Sequence, residues 1–372
     1  MAELGKLTRL KVEGFKSIRS LDISLRDLNL LIGPNGAGKS NLISFFRFMN
    51  KLVQKDLQHF VAEYVGVDRF LYFGRKITNK MVVHLHFRPN SYDCTLYPSI
   101  DGKFLFESEV CRFHGHEINY EGGVKISTLS RKGADESSLP DADTSKHLSW
   151  KAQQDWVSIY MSSWTVYHFH DVGKTAAVKG IGKLADNARL HSDGGNLASY
   201  LRFLRLIFSK HYAEIVATVR RVAPFFHDFI LEPERENPSY IRLRWKHIGN
   251  DDYFDAHDLS DGTLRFICLA TLLLQSEPPT TILLDEPELG LHPYAVELLA
   301  GMMRSAAART QVIAATQSVT LANQFGWEDL IVVDREDNAS VFRRLKGPEV
   351  EDWLEQYRLG DLWQKNLIGG TP

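Results

Sequence analysis

Cysteine is scarce: Cys94, Cys111 and Cys268 are the three in 372 residues, far apart and without paired spacing. That excludes a disulfide-stapled scaffold and a cysteine-based zinc site, and it fits a reduced compartment. Long apolar runs are also missing. No stretch approaches 18 uninterrupted apolar residues, and Met1-Ala-Glu-Leu-Gly-Lys6 has no signal-peptide core. A soluble, cytoplasmic protein without a membrane partner is expected. Nor is there an excess of one charge: 44 Lys and Arg against 46 Asp and Glu leave a formal net charge of -2. Attraction to nucleic acid would have to come from a local patch. The chain has no internal repeat, no long heptad run and no HNH-type nuclease motif. Its length allows one large or two modest domains around a substantial core.

What is present is concentrated in two places. Gly33-Pro34-Asn35-Gly36-Ala37-Gly38-Lys39-Ser40 follows the apolar run Leu28-Asn-Leu-Leu-Ile32 and precedes Asn41 and a helical pattern. This is the phosphate-loop spacing G-x-x-x-x-G-K-[ST] between a strand and a helix. Glycines let successive N–H groups turn onto phosphates, and the helix adds its positive end. Lys39 would reach the β- and γ-phosphates of ATP, and Ser40 would ligate Mg²⁺.

The second place is Thr280-Thr-Ile-Leu-Leu-Asp285-Glu286, an apolar run ending in two carboxylates. Such a run suits a buried parallel strand with acids emerging at its C-terminal edge. Asp285 would then hold Mg²⁺, and Glu286 would act as general base on the attacking water. Upstream, Asp258-Leu-Ser260-Asp261-Gly262-Thr263 opens an apolar helix with Ser260 as a natural N-cap.

Elsewhere the pattern is coarser. Residues 7–32 read as short strands, 81–120 as an antiparallel sub-sheet and 41–52 as a helix. The small polar run 127–147 reads as an exposed loop. Helices are expected over 150–163 and, one or two of them, over 196–222. Trp164 to Phe169 reads as a strand. The last third alternates in the βα manner, with strands near 280–285, 311–315 and 329–334.

In this order the motifs resemble ABC-type ATPases, specifically the RecF/SMC branch, including the ATPase parts of OLD-type proteins. Leu10-Lys-Val-Glu-Gly-Phe15-Lys16-Ser17 is similar to that branch's opening strand, and Asp285-Glu-Pro-Glu-Leu-Gly-Leu-His292-Pro293 to its extended acidic strand end. The tail from Tyr357 to Gly370 resembles small bacterial ATPases of this group. The resemblance implies an α/β fold: a mixed and parallel sheet with an antiparallel β subdomain and an inserted, mainly helical lobe. Its parts would be residues 1–170, 171–224 (the lobe) and 225–372. It also implies a head-to-tail homodimer closed by ATP. Ser260, Asp261 and Gly262 of one copy would contact the γ-phosphate held by residues 33–41 of the other.

Two departures stand out. Gln317, in Ala315-Thr-Gln-Ser318, occupies the place of a γ-phosphate-sensing histidine and cannot carry charge, so slow turnover is expected. The family's magnesium-contacting glutamine is not evident, and Tyr167-His168-Phe-His170-Asp171 falls near its place. For His168 and His170 three readings stand: a metal site, a magnesium or lobe-coupling role, and structural hydrogen bonding. Arg189 and the turn 192–196 offer a lobe contact. Arg202, Arg205, Lys210, Arg220, Arg221, Arg242, Arg244 and Lys246 are the candidate DNA surface, the last three alternating along one strand. Trp353 and Trp363 read as packing residues, with a tail that docks a partner as the alternative. Cleavage, if the system cuts nucleic acid, would fall to a separate nuclease or effector. Two rival readings are a transporter's nucleotide-binding subunit and a scaffold that binds ATP without hydrolysing it. The 246 residues from Lys39 to Asp285 exceed the spacing of an AAA+ motor.

Overall fold

The computed structural model describes residues 6–87, 90–114, 124–141 and 156–370. They form two compact units, Met1–Thr165 with Gly326–Pro372, and Val166–Phe325.

The first unit holds a six-stranded antiparallel sheet. Its order is Ile18–Ser24, Leu7–Phe15, Met81–Phe87, Asn90–Pro98, Phe104–His114 and Val124–Ser130. Alternate residues of Met81-Val-Val-His-Leu-His-Phe87 are buried, the period of a half-buried strand. Leu28–Ile32 is buried along its whole length and pairs in parallel with Leu330–Glu336. The latter returns as a hairpin to Ala339–Arg344 through Asp337 and Asn338, both at positive φ, as a two-residue turn requires. The helix Lys39–Val53 buries Leu42, Phe45, Phe46, Phe48, Met49 and Leu52. Phe15 meets Phe45 and Phe48 edge-on at 5.5 and 5.6 Å, contacts worth about 0.5–1.5 kcal/mol each beyond their area.

The polar run 127–147 is an exposed loop only in part: residues 131–136 are irregular and mostly exposed, while regular structure lies on either side. Residues 124–130 form an edge strand, and the 3-10 turn Leu139–Asp141 follows. Residues 142–147, and the start of the helix expected over 150–163, lie outside the described residues. The cause of the correction is Glu109, fully buried, whose carboxylate accepts from Tyr92, Ser130, Ser137 and the Ser138 N–H. A buried carboxylate needs donors, and these serines are they.

In the second unit, Thr281–Asp285 and Gln311–Thr316 are parallel neighbours, and the helix Pro293–Ala307 connects them. The segment expected over 196–222 is two helices, Leu197–Ile207 and Ser209–Val222. A small antiparallel sheet joins Phe226–Ile230, Arg244–His247 and Tyr253–Asp255 around Trp245, which stacks on Phe254. All three cysteines are buried free thiols, with ionisation pushed up by burial.

Candidate active site

In the first unit, Gly33, Ala37, Gly38 and Lys39 are buried, while Asn35, Gly36 and Ser40 face solvent. Gly38 has φ 115°, and a Cβ there would lie 2.0 Å from Ser340 Oγ. Only glycine fits. The helix Lys39–Val53 opens with no acidic residue in its first turn and no side-chain cap. Its positive end therefore remains for an external anion. Lys39, 5% exposed, donates from Nζ to the carbonyl oxygens of Gly33 (2.6 Å) and Pro34 (3.0 Å). A buried ammonium resting on backbone carbonyls beside an uncapped helix end suits a polyphosphate. Asn41 turns its amide to Ser17 Oγ at 2.6 Å. Nearby, Lys16 lies over the Phe15 and Phe70 rings and donates to Ser44; burial lowers its pKa.

In the second unit, the buried strand ends at half-exposed Asp285 and Glu286. Glu286 has φ 47°, left-handed for a residue with a side chain, and its N–H donates to Ala315 O at 2.8 Å. Gln317 Nε2 donates to Glu286 Oε1. The same loop also holds Glu288, which the sequence reading passed over: Thr316 Oγ1 (2.5 Å) and the Gln317 N–H (3.2 Å) both reach its Oε1. Burial raises the pKa of Glu288, and Oε2 has no partner. Its one sequence signal was a third acid two residues beyond Glu286.

Ser260 caps its helix by accepting from Thr263 N at 3.1 Å, and Ser260 and Asp261 are exposed. A Cβ on Gly262 would come within 2.6 Å of Gly290 O, so glycine lets this helix touch the loop after the acids. Arg265, the one cation in that helix and also passed over, donates to His170 O and Leu289 O, each at 2.9 Å. His170 Nε2 lies 2.8 Å from Asp285 O. For His170 this is a hydrogen bond to the backbone of the acidic strand end. Among the described residues no group of three or more His, Cys, Asp or Glu is placed to hold a metal. In the turn 192–196, buried Asn196 accepts from His191 N and donates to Asp186 O and Arg189 O.

Four of the eight cations of the candidate DNA surface pair with carboxylates. Arg242 and Arg244 lie on two different strands, not one, and both guanidinium groups converge on Glu234 at 2.9 and 2.6 Å. Arg202 and Arg205 reach Glu232. Arg220 donates to His227 O.

A phosphate loop, a strand ending in Asp-Glu and a serine-capped helix upstream of it define a P-loop ATPase of ABC type, in the RecF/SMC-like branch. The chain belongs to the family described as "AAA domain, putative AbiEii toxin, Type IV TA system", which matches residues 28–323. It is 50% identical over 135 residues to Structural maintenance of chromosomes protein 1 of Schizosaccharomyces pombe. That match covers 36% of this chain and only 10% of the much longer relative. Among solved structures, an Smc head bound to the C-terminal winged-helix domain of ScpA superposes with a TM-score of 0.61 at 16% identity, covering 94% of this chain and 99% of that one. An Smc head with an extended coiled coil, bound to the C-terminal domain of ScpA from Pyrococcus furiosus, gives 0.57 at 14%, covering 95% and 99%. The fold is that of an SMC-head ATPase. Among the described residues no helix is long and apolar enough to cross a membrane.

Proposed function

We propose that this chain binds ATP through residues 33–41, hydrolyses it with Glu286 as general base, and works as a switch closed head to tail by two copies. The observation that carries the reading is the uncapped helix Lys39–Val53 with buried Lys39 at its start. Glu286, aimed by its left-handed turn and held by Gln317, would orient and deprotonate the attacking water. Ser40 and Asp285 each carry a hard oxygen donor of the kind that would hold Mg²⁺, whose charge would offset that developing on the phosphates. Exposed Ser260 and Asp261 at the start of their helix support a contact across the dimer, where loss of the γ-phosphate weakens the interface. A glutamine in place of a chargeable histidine supports slow turnover.

The setting we propose is DNA repair or anti-phage defence in the cytoplasm, with a separate nuclease or effector as partner. The family description, which names a toxin and a toxin–antitoxin system, supports the defence arm. The Smc heads bound to ScpA support the use of a protein partner. Glu286→Gln protein should trap ATP and run as a dimer in size-exclusion chromatography. A monomer at saturating ATP would refute the switch.

A further inference from the structure

Behind the phosphate loop two hydroxyl groups from distant parts of the first unit form a row with the Asn41 amide. Ser340, 1% exposed on the strand Ala339–Arg344, donates from Oγ to Ala37 O at 2.5 Å across 303 residues of sequence. Ser340 Oγ also lies 2.6 Å from Ser17 Oγ, and its N–H donates to Ser17 O at 2.8 Å. Asn41 Nδ2 in turn reaches Ser17 Oγ at 2.6 Å. The proton order follows from chemistry. Ala37 O can only accept, so the Ser340 proton goes there. Ser340 must then accept from Ser17, and Ser17 from the Asn41 amide. Every proton in the row is used once, and each bond polarises the next. Gly38 is enclosed by the same pair, since a Cβ there would lie 2.0 Å from Ser340 Oγ and 2.8 Å from Ser17 Oγ.

We infer that Ser340 and Ser17 are positioning residues for nucleotide binding: they fix the curvature of residues 37–41 from behind, so the loop is shaped before ATP arrives. The inference rests on the reading that residues 33–41 hold the phosphates. A preformed loop binds more tightly because ordering it is not charged against binding.

The test is titration with a fluorescent ATP analogue, with KM and kcat measured alongside. Ser340→Ala, which strips the buried Ala37 carbonyl of its donor, and Ser17→Ala, which leaves Asn41 and Ser340 without the group that links them, should each weaken ATP about tenfold. KM should rise with kcat at saturation changed less than about twofold, since neither group is asked to act in the transition state. As links of one row, the two changes together should cost no more than either alone, and Ser17→Thr should restore binding. Wild-type affinity in Ser340→Ala, or losses that multiply to about a hundredfold in the double variant, would overturn the inference. If Ser340→Ala fails to fold by thermal melting, the half-exposed Ser17→Ala and Ser17→Thr pair decides alone. Lys39→Ala separates the two levels. Should it bind ATP like wild type, the site itself is misassigned; should it lose ATP while Ser340→Ala keeps it, only the role of the hydroxyl row falls.

Discussion

In the phosphate loop the shape lies in the backbone, braced from behind by Ser340 and Ser17: a glycine at φ 115°, carbonyls turned onto Lys39, and a helix start left uncapped. At the acidic strand end it is carried by side chains: Gln317 on Glu286, Thr316 on Glu288, and Arg265 bracing the backbone at His170 and Leu289. A backbone device tolerates no added atom, whereas a side-chain device can be retuned one residue at a time. Binding should therefore be the brittle property of this protein and turnover the adjustable one.

Four substitutions sharpen or break that contrast. The largest effect is expected for Glu286→Gln, which should cut phosphate release about 10²–10⁴-fold while ATP affinity changes less than about threefold; comparable losses in both would erase the distinction. Next, Gly38→Ala adds one methyl and should weaken ATP roughly 10–100-fold, because the residue must adopt a strained φ and displace Ser340. An affinity near wild type by titration would show that the loop is not backbone-limited. Third, Gln317→His should speed single-turnover hydrolysis about three- to tenfold by supplying a group able to carry charge beside Glu286; an unchanged rate would mean that Gln317 does not limit it.

The smallest effect concerns Glu288 and pH. Burial raises its pKa above 4.5, so its ionised form is disfavoured in the folded state. The unfolded chain ionises first, and stability drains away as pH rises from about 4.5 through the folded value. Glu288→Gln keeps an oxygen for Thr316 and removes the titration. Its melting temperature should match wild type at pH 4 and gain on it towards pH 7; a constant offset would exclude a titrating Glu288.

The same contrast explains what could be read from residues alone. The loop 33–40 was legible because its demands are local, with glycines, lysine and serine at fixed spacing beside a strand and a helix. So was the strand ending in Asp285 and Glu286. The bracing was not: Glu288 finds Thr316 and Gln317 28 and 29 residues away, and Ser340 finds Ala37 across 303. Nothing in the local pattern says which polar residue meets which. Ser130, Ser137 and Ser138 looked solvated because their acceptor, Glu109, lies in another strand. Arg242 and Arg244 looked free because Glu234 is outside their own run.

Glu286 at φ 47° bears on how this protein responds to selection. A non-glycine residue held there costs about 1–3 kcal/mol. Glycine would be more comfortable at that position and chemically mute, so a search rewarding heat tolerance alone should drift towards Glu286→Gly and yield hardy, inert variants. The discomfort persists only where the reaction is itself rewarded.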